Sequence, residues 1–98
     1  MITDSRAISY AESCLSFFEG YKLATIVGEP SAGTNGNVNP IDICGLYTVR
    51  WTGMYVVKHD GSQHHGIGIL PNVAVQKTIQ GVREGRDEFL EKAIEMAR

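Results

Sequence analysis

Ser9 stands where a helical pattern begins, in Ala7-Ile8-Ser9-Tyr10-Ala11-Glu12. A hydroxyl there feels the partial positive potential of the unpaired first-turn amides. The backbone N–H of its neighbour Tyr10 could help hold an oxyanion, which is what acyl transfer needs. The competing reading is that serine is favoured at helix starts simply because it caps them. A second candidate is the run Gly28-Glu29-Pro30-Ser31-Ala32-Gly33-Thr34-Asn35-Gly36-Asn37, rich enough in glycine to suggest a phosphate cradle. It lacks the lysine of a phosphate-binding loop and does not fit G-x-G-x-x-G. A tight connection with glycines at positive φ is the expectation there. His59, His64 and His65, with Asp60, could ligate zinc. Neighbouring strand residues point to opposite faces, however, so these are expected as surface-turn histidines, with no metal and no cofactor.

The elements that would position these groups read from periodicity. Apolar residues at 7, 8, 11, 14, 15 and 18 predict a helix over about residues 8 to 19, closed by Gly20 as its C-terminal cap. Met1 to Asp4 reads as the end of a strand entering a turn, and Leu23 to Val27 as a buried strand. Ile41 to Cys44 and Tyr47 to Thr52 predict a hairpin about Gly45-Leu46, with Met54 to Lys58 a further strand and Val73 to Val75 a short edge strand. Trp51 and Tyr55 are expected in the core or on a half-buried face. Residues 86 to 98 predict a closing helix with an apolar stripe of Phe89, Leu90, Ala93, Ile94 and Ala97.

Bulk properties narrow the function classes. Ninety-eight residues allow one small domain, and 43% hydrophobic with 20% charged residues is ordinary globular usage. A net charge of −2 argues against a nucleic-acid binder, which usually carries a basic surplus. No apolar run approaches the roughly 18 residues of a membrane span, and no signal-peptide pattern opens the chain. Cys14 and Cys44 lie in apolar settings and are expected as buried free thiols.

Taken together, four segments resemble the carboxyl-terminal processing, or tail-specific, proteases. Ala7 to Glu12 is similar to that family's T-A-S-A-S-E nucleophile segment, and Ile26 to Gly36 to its V-G-E-x-T-x-G-x-G loop. Gly66-Ile67-Gly68-Ile69-Leu70-Pro71-Asn72-Val73 resembles G-x-G-I-x-P-D-V, and Gly85 to Ala93 the closing G-x-D-x-x-L-x-x-A helix. The resemblance implies a mixed α/β fold, a crotonase-like ββα catalytic domain fragment with short strands flanked by an N-terminal and a C-terminal helix. Residues 1–98 would be the C-terminal part of that catalytic domain.

By the same resemblance Ser9 would be the nucleophile of a serine endopeptidase and the Tyr10 amide its oxyanion donor. In the lysine-dependent branch the residue between Gly33 and Asn35 is the general base; here it is Thr34, which has no amine to offer. The resemblance then points to the tricorn-core-like branch, which uses serine, histidine and glutamate. Its histidine is expected upstream of Ser9, outside these residues, and its glutamate falls where His65 aligns. The partners implied are a peptide or protein substrate, and a second copy or a missing amino-terminal half to cover exposed core. An exported parent protein is a further implication. A different class of function, a non-catalytic module that binds peptide by strand addition at an exposed edge, is the alternative.

Overall fold

A short parallel sheet is the centre of the fold, and its strands are only two residues each. A computed structural model describes all 98 residues. β1 (Ile2–Thr3) pairs with β2 (Val27–Gly28), and β2 with β5 (Val73–Ala74), in the order β1-β2-β5. Helix α1 (Tyr10–Gly20) makes the crossover from β1 to β2. Helices α2 (Ile79–Arg83) and α3 (Glu88–Ala97) follow the sheet, and α3 packs on β1 and β2. The expected mixed α/β architecture with flanking helices is therefore what the chain forms. No helix is long and apolar enough to cross a membrane.

The core is small. Leu15 of α1, Ile26 and Ile69 form its centre, with Ala7 against them, while Val27 and Phe89 are also buried. Strand β2 sits between two parallel partners, which explains its apolar, β-branched approach. The expected strand over 23 to 27 shrinks because residues 23 to 26 have no ladder partner; Ile26 instead bonds Asn72, whose Oδ1 accepts the Ile26 N–H at 2.8 Å. Gly28, at φ 125°, lies so close to the Thr3 carbonyl oxygen that a Cβ would collide with it.

Away from this core, β3 (Val38–Ile43) and β4 (Tyr47–Thr52) form an antiparallel hairpin that makes a separate sheet. Its turn, Cys44-Gly45-Leu46, puts Cys44 at φ 53° and Gly45 at φ 69°. The strand begins at Val38, earlier than expected, because Pro40 can lie on an edge without a ladder donor. Residues alternate across it, so Ile41, Ile43, Tyr47, Val49 and Trp51 share one face. That face has nothing packed on it. Trp51 is exposed for this reason, and Tyr55, which lies beyond β4, is exposed as well, contrary to the sequence reading.

Other expectations also need correcting. Met54 to Lys58 is not a strand and contributes only the isolated bridge Val57–Gln63. Gly20 lies in the last turn of α1, and the positive φ falls at Lys22 instead. Cys14 and Cys44 are free but exposed, the first on the outer face of α1 and the second in the hairpin turn. Of the α3 stripe only Phe89 is buried, since the helix lies over the edge of a very small sheet. Helix α2 was not legible; Thr78 caps it by accepting the Gly81 N–H at 2.9 Å.

The hairpin arm makes the molecule 57 × 34 × 16 Å. Its radius of gyration is 16.8 Å, where about 13 Å is typical for this length. Replacing Gly28 by alanine should cost about 2–4 kcal/mol, the sum of backbone strain and overpacking. Urea unfolding checks this, and a loss under about 1 kcal/mol would mean that the sheet does not depend on the close β1–β2 approach.

Candidate active site

Helix α1 begins at a strained residue. Ser9 is its N-cap, at φ 49° and ψ −113°, a region that residues with a Cβ rarely occupy. The Ser9 side chain sits at the Glu12 backbone N–H as one half of a capping box, and its hydroxyl donates to no protein acceptor. The Glu12 carboxylate, three residues on, accepts the Ser9 N–H at 3.1 Å, the returning half of a capping box. Tyr10 follows, and its N–H, the first of the helix, has no carbonyl four residues back to reach. No protein acceptor takes it.

Ser9 and Tyr10 open a groove of about 440 Å³. Ser13 and Phe17, one and two turns along α1, line it together with Asn35, Met54 and Val56. Asn35 is fixed there by Ser13, its Nδ2 donating to the Ser13 Oγ at 3.0 Å. No charged side chain faces the groove, and none of the three histidines does.

Behind the serine lies a buried anion. Glu12 is 0% exposed. Besides the Ser9 amide, its oxygens accept the Ser31 hydroxyl at 2.6 Å, the Gly33 N–H at 2.6 Å and the Thr34 N–H at 2.9 Å. The Thr34 hydroxyl adds a fifth donor at 3.2 Å. The glycine-rich loop is thus an anion cradle turned inward: it holds the protein's own carboxylate. Gly33, at φ 69°, makes this possible, because a Cβ there would come 2.8 Å from the Ile67 nitrogen.

Ser31 relays the contact onward. Its hydroxyl accepts the Ile69 N–H at 2.8 Å, and Gly66 donates its N–H to the Gly33 carbonyl at 2.8 Å. His64 is 1% exposed, with Nε2 3.4 Å from the nearer Glu12 oxygen but out of line for a hydrogen bond. The expectation of a surface-turn histidine fails for this residue, which the loop folds into the carboxylate. No group of three or more histidine, cysteine or acidic side chains converges as a metal site would require.

Burial alone would push the Glu12 carboxyl up. The donors from Ser31, Gly33 and Thr34, with the nearby His64 imidazole, outweigh it and hold the group below the ordinary glutamate value. From the sequence, Glu12 and Ser31 are only members of the nucleophile segment and the glycine-rich loop, and His64 is a surface-turn histidine or zinc candidate; none of them is expected as part of a buried network. The signal for Glu12 was present in the Ser-x-x-Glu spacing, whereas nothing local marks His64.

A carboxylate whose folded-state pKa is depressed contributes stability that is present above its unfolded pKa and is lost as pH falls through the folded one. Stability should therefore hold level from neutral pH down to the ordinary glutamate value of 4.5 and decline below it. Glu12→Gln should lower the neutral plateau by about 3 kcal/mol, by setting an amide against several buried donors, and should make the acid decline shallower. Urea midpoints across pH check both, and an unchanged acid limb in the variant would remove Glu12 as its source.

Residues 1–75 match the sequence model of peptidase family S41. The fold is similar to that of mature CPAF complexed with lactacystin, with a TM-score of 0.87 and 25% identity over 98% of this chain and 19% of that one. It is also similar to the tricorn protease, with a TM-score of 0.85 and 19% identity over 98% of this chain and 10% of that one. The photosystem II D1 C-terminal processing protease gives 0.66 and 20% over 76% of this chain and 19% of that one. The chain thus spans a tenth to a fifth of the length of these solved chains. No curated protein sequence matches it. With its family matched over most of its length, the chain belongs to peptidase family S41.

Proposed function

We propose that residues 1–98 are the C-terminal part of a serine endopeptidase catalytic domain of the tricorn-core-like branch, with Ser9 as nucleophile. The observation that carries this reading is the pairing at the head of α1: a strained serine whose hydroxyl donates to no protein acceptor, beside a free Tyr10 amide, on an uncharged groove. The Ser9 Oγ attacks a peptide carbonyl while its proton passes to a general base. The Tyr10 N–H bonds the oxyanion of the tetrahedral intermediate. The C–N bond then breaks, the amine leaves with a proton from the conjugate acid of the base, and water hydrolyses the acyl-enzyme.

The base is a histidine from another part of the catalytic domain. Thr34 has no amine and its hydroxyl is committed to Glu12, while His64 faces Glu12 and none of the histidines lines the groove. Its surface supports this reading too. The chain exposes 7006 Å², where a monomer of its mass exposes about 5,500 Å². The uncovered apolar side of the hairpin contributes to the excess, which the remaining catalytic domain, or failing that a second copy, covers.

A fluorophosphonate probe tests the assignment. In the intact polypeptide that contains this segment, mass analysis should find one adduct, on Ser9, absent from Ser9→Ala. Labelling that survives the substitution, or a Ser9 that never reacts, would leave the non-catalytic binding module as the better reading. Residues 1–98 alone should self-associate in sedimentation velocity, and a clean monomer at high concentration would contradict the proposed covering of the hairpin.

A further inference from the structure

We infer that Glu12 is the positioning residue of Ser9: it takes the Ser9 amide for itself, holds the serine backbone in its strained conformation, and so leaves the Tyr10 amide as the donor offered to the groove. The inference rests on the reading of Ser9 as nucleophile. Two consecutive N–H groups at the head of α1 have no intrahelical partner, as helix starts require. One of them, Ser9, points back to Glu12 at 3.1 Å, whereas Tyr10 is free.

Glu12 differs from an ordinary capping carboxylate in where it is anchored. A surface cap follows its own helix and moves with it. Here four further donors come from Ser31, Gly33 and Thr34, in a loop pinned in turn by the Ile69 N–H on the Ser31 hydroxyl. The carboxylate is thereby fixed with respect to the loop, and the loop sets where the serine sits. The same bond keeps the Ser9 N–H from competing for an oxyanion, so a single amide acts there.

The test reads both consequences. In the ¹⁵N-labelled protein, hydrogen exchange should be slow for the Ser9 amide and fast for that of Tyr10. In Glu12→Gln the Ser9 amide should exchange about tenfold faster or more, measured against amides that open only on global unfolding. In the intact polypeptide the same variant should label with fluorophosphonate at least about tenfold more slowly at saturating probe, with little change in the probe concentration giving half-maximal rate. A residue that merely holds the helix together would lower the folded fraction without separating these two constants.

A Ser9 amide that exchanges as freely as Tyr10 in the wild type, or a folded Glu12→Gln that labels at the wild-type rate, would overturn the inference. If the variant does not fold, wild-type exchange decides alone. Absence of labelling in the wild type would count against the nucleophile, and the exchange comparison would still test Glu12.

Discussion

A carboxylate cannot be left bare inside a protein, and that constraint organises this one. Glu12 is fully enclosed, and an isolated charge there would be driven to protonate. Five donors prevent it, and they come from two segments some twenty residues apart: the start of α1 and the loop over Ser31 to Thr34. Satisfying one side chain thus closes the crossover between β1 and β2. Ser31 extends the closure to Ile69, so three of the four motif segments meet at one group. The hydrophobic centre of Leu15, Ile26 and Ile69 is too small to specify such an arrangement alone. The polar hub supplies the specificity, which is what a fully satisfied buried network can do.

How much of this was legible depended on how local the cause was. The head of α1, the β3–β4 hairpin and α3 follow from spacing within a few residues, and all three form, with shifted ends. Ser9 was legible as a residue at a helix start, but its strained backbone was not, because the strain is imposed from the loop some twenty residues on. His64 was misread for a similar reason. Its neighbours resemble an exposed turn, and only the fold of Gly66 to Gly68 against Ser31 and Gly33 carries it inward. Trp51 and Tyr55 failed in the opposite direction: their composition asks for burial, and within these residues nothing covers them. The hairpin itself follows from the two β runs, but a local pattern cannot say whether an apolar face is occupied.

The loop from Gly28 to Asn37 illustrates how composition can identify a chemistry and misplace its ligand. Glycines and small hydroxyl residues do expose successive amides in a concave arrangement, and such amides do bind anions. In this chain the anion is internal. Under the proposed reading of Ser9 as nucleophile that choice matters for the groove, because an uncompensated negative charge behind Ser9 would oppose the negative charge that builds on a substrate oxygen during acyl transfer. Distributing the Glu12 charge over five donors, three of them backbone amides, weakens that opposition while keeping the mechanical benefit of a rigid anchor. Thr34 then reads as part of the same solution. With a hydroxyl and an amide both directed at Glu12, the position is spent on holding the carboxylate, and under the proposed reading of Ser9 as nucleophile its proton chemistry is served from elsewhere in the catalytic domain.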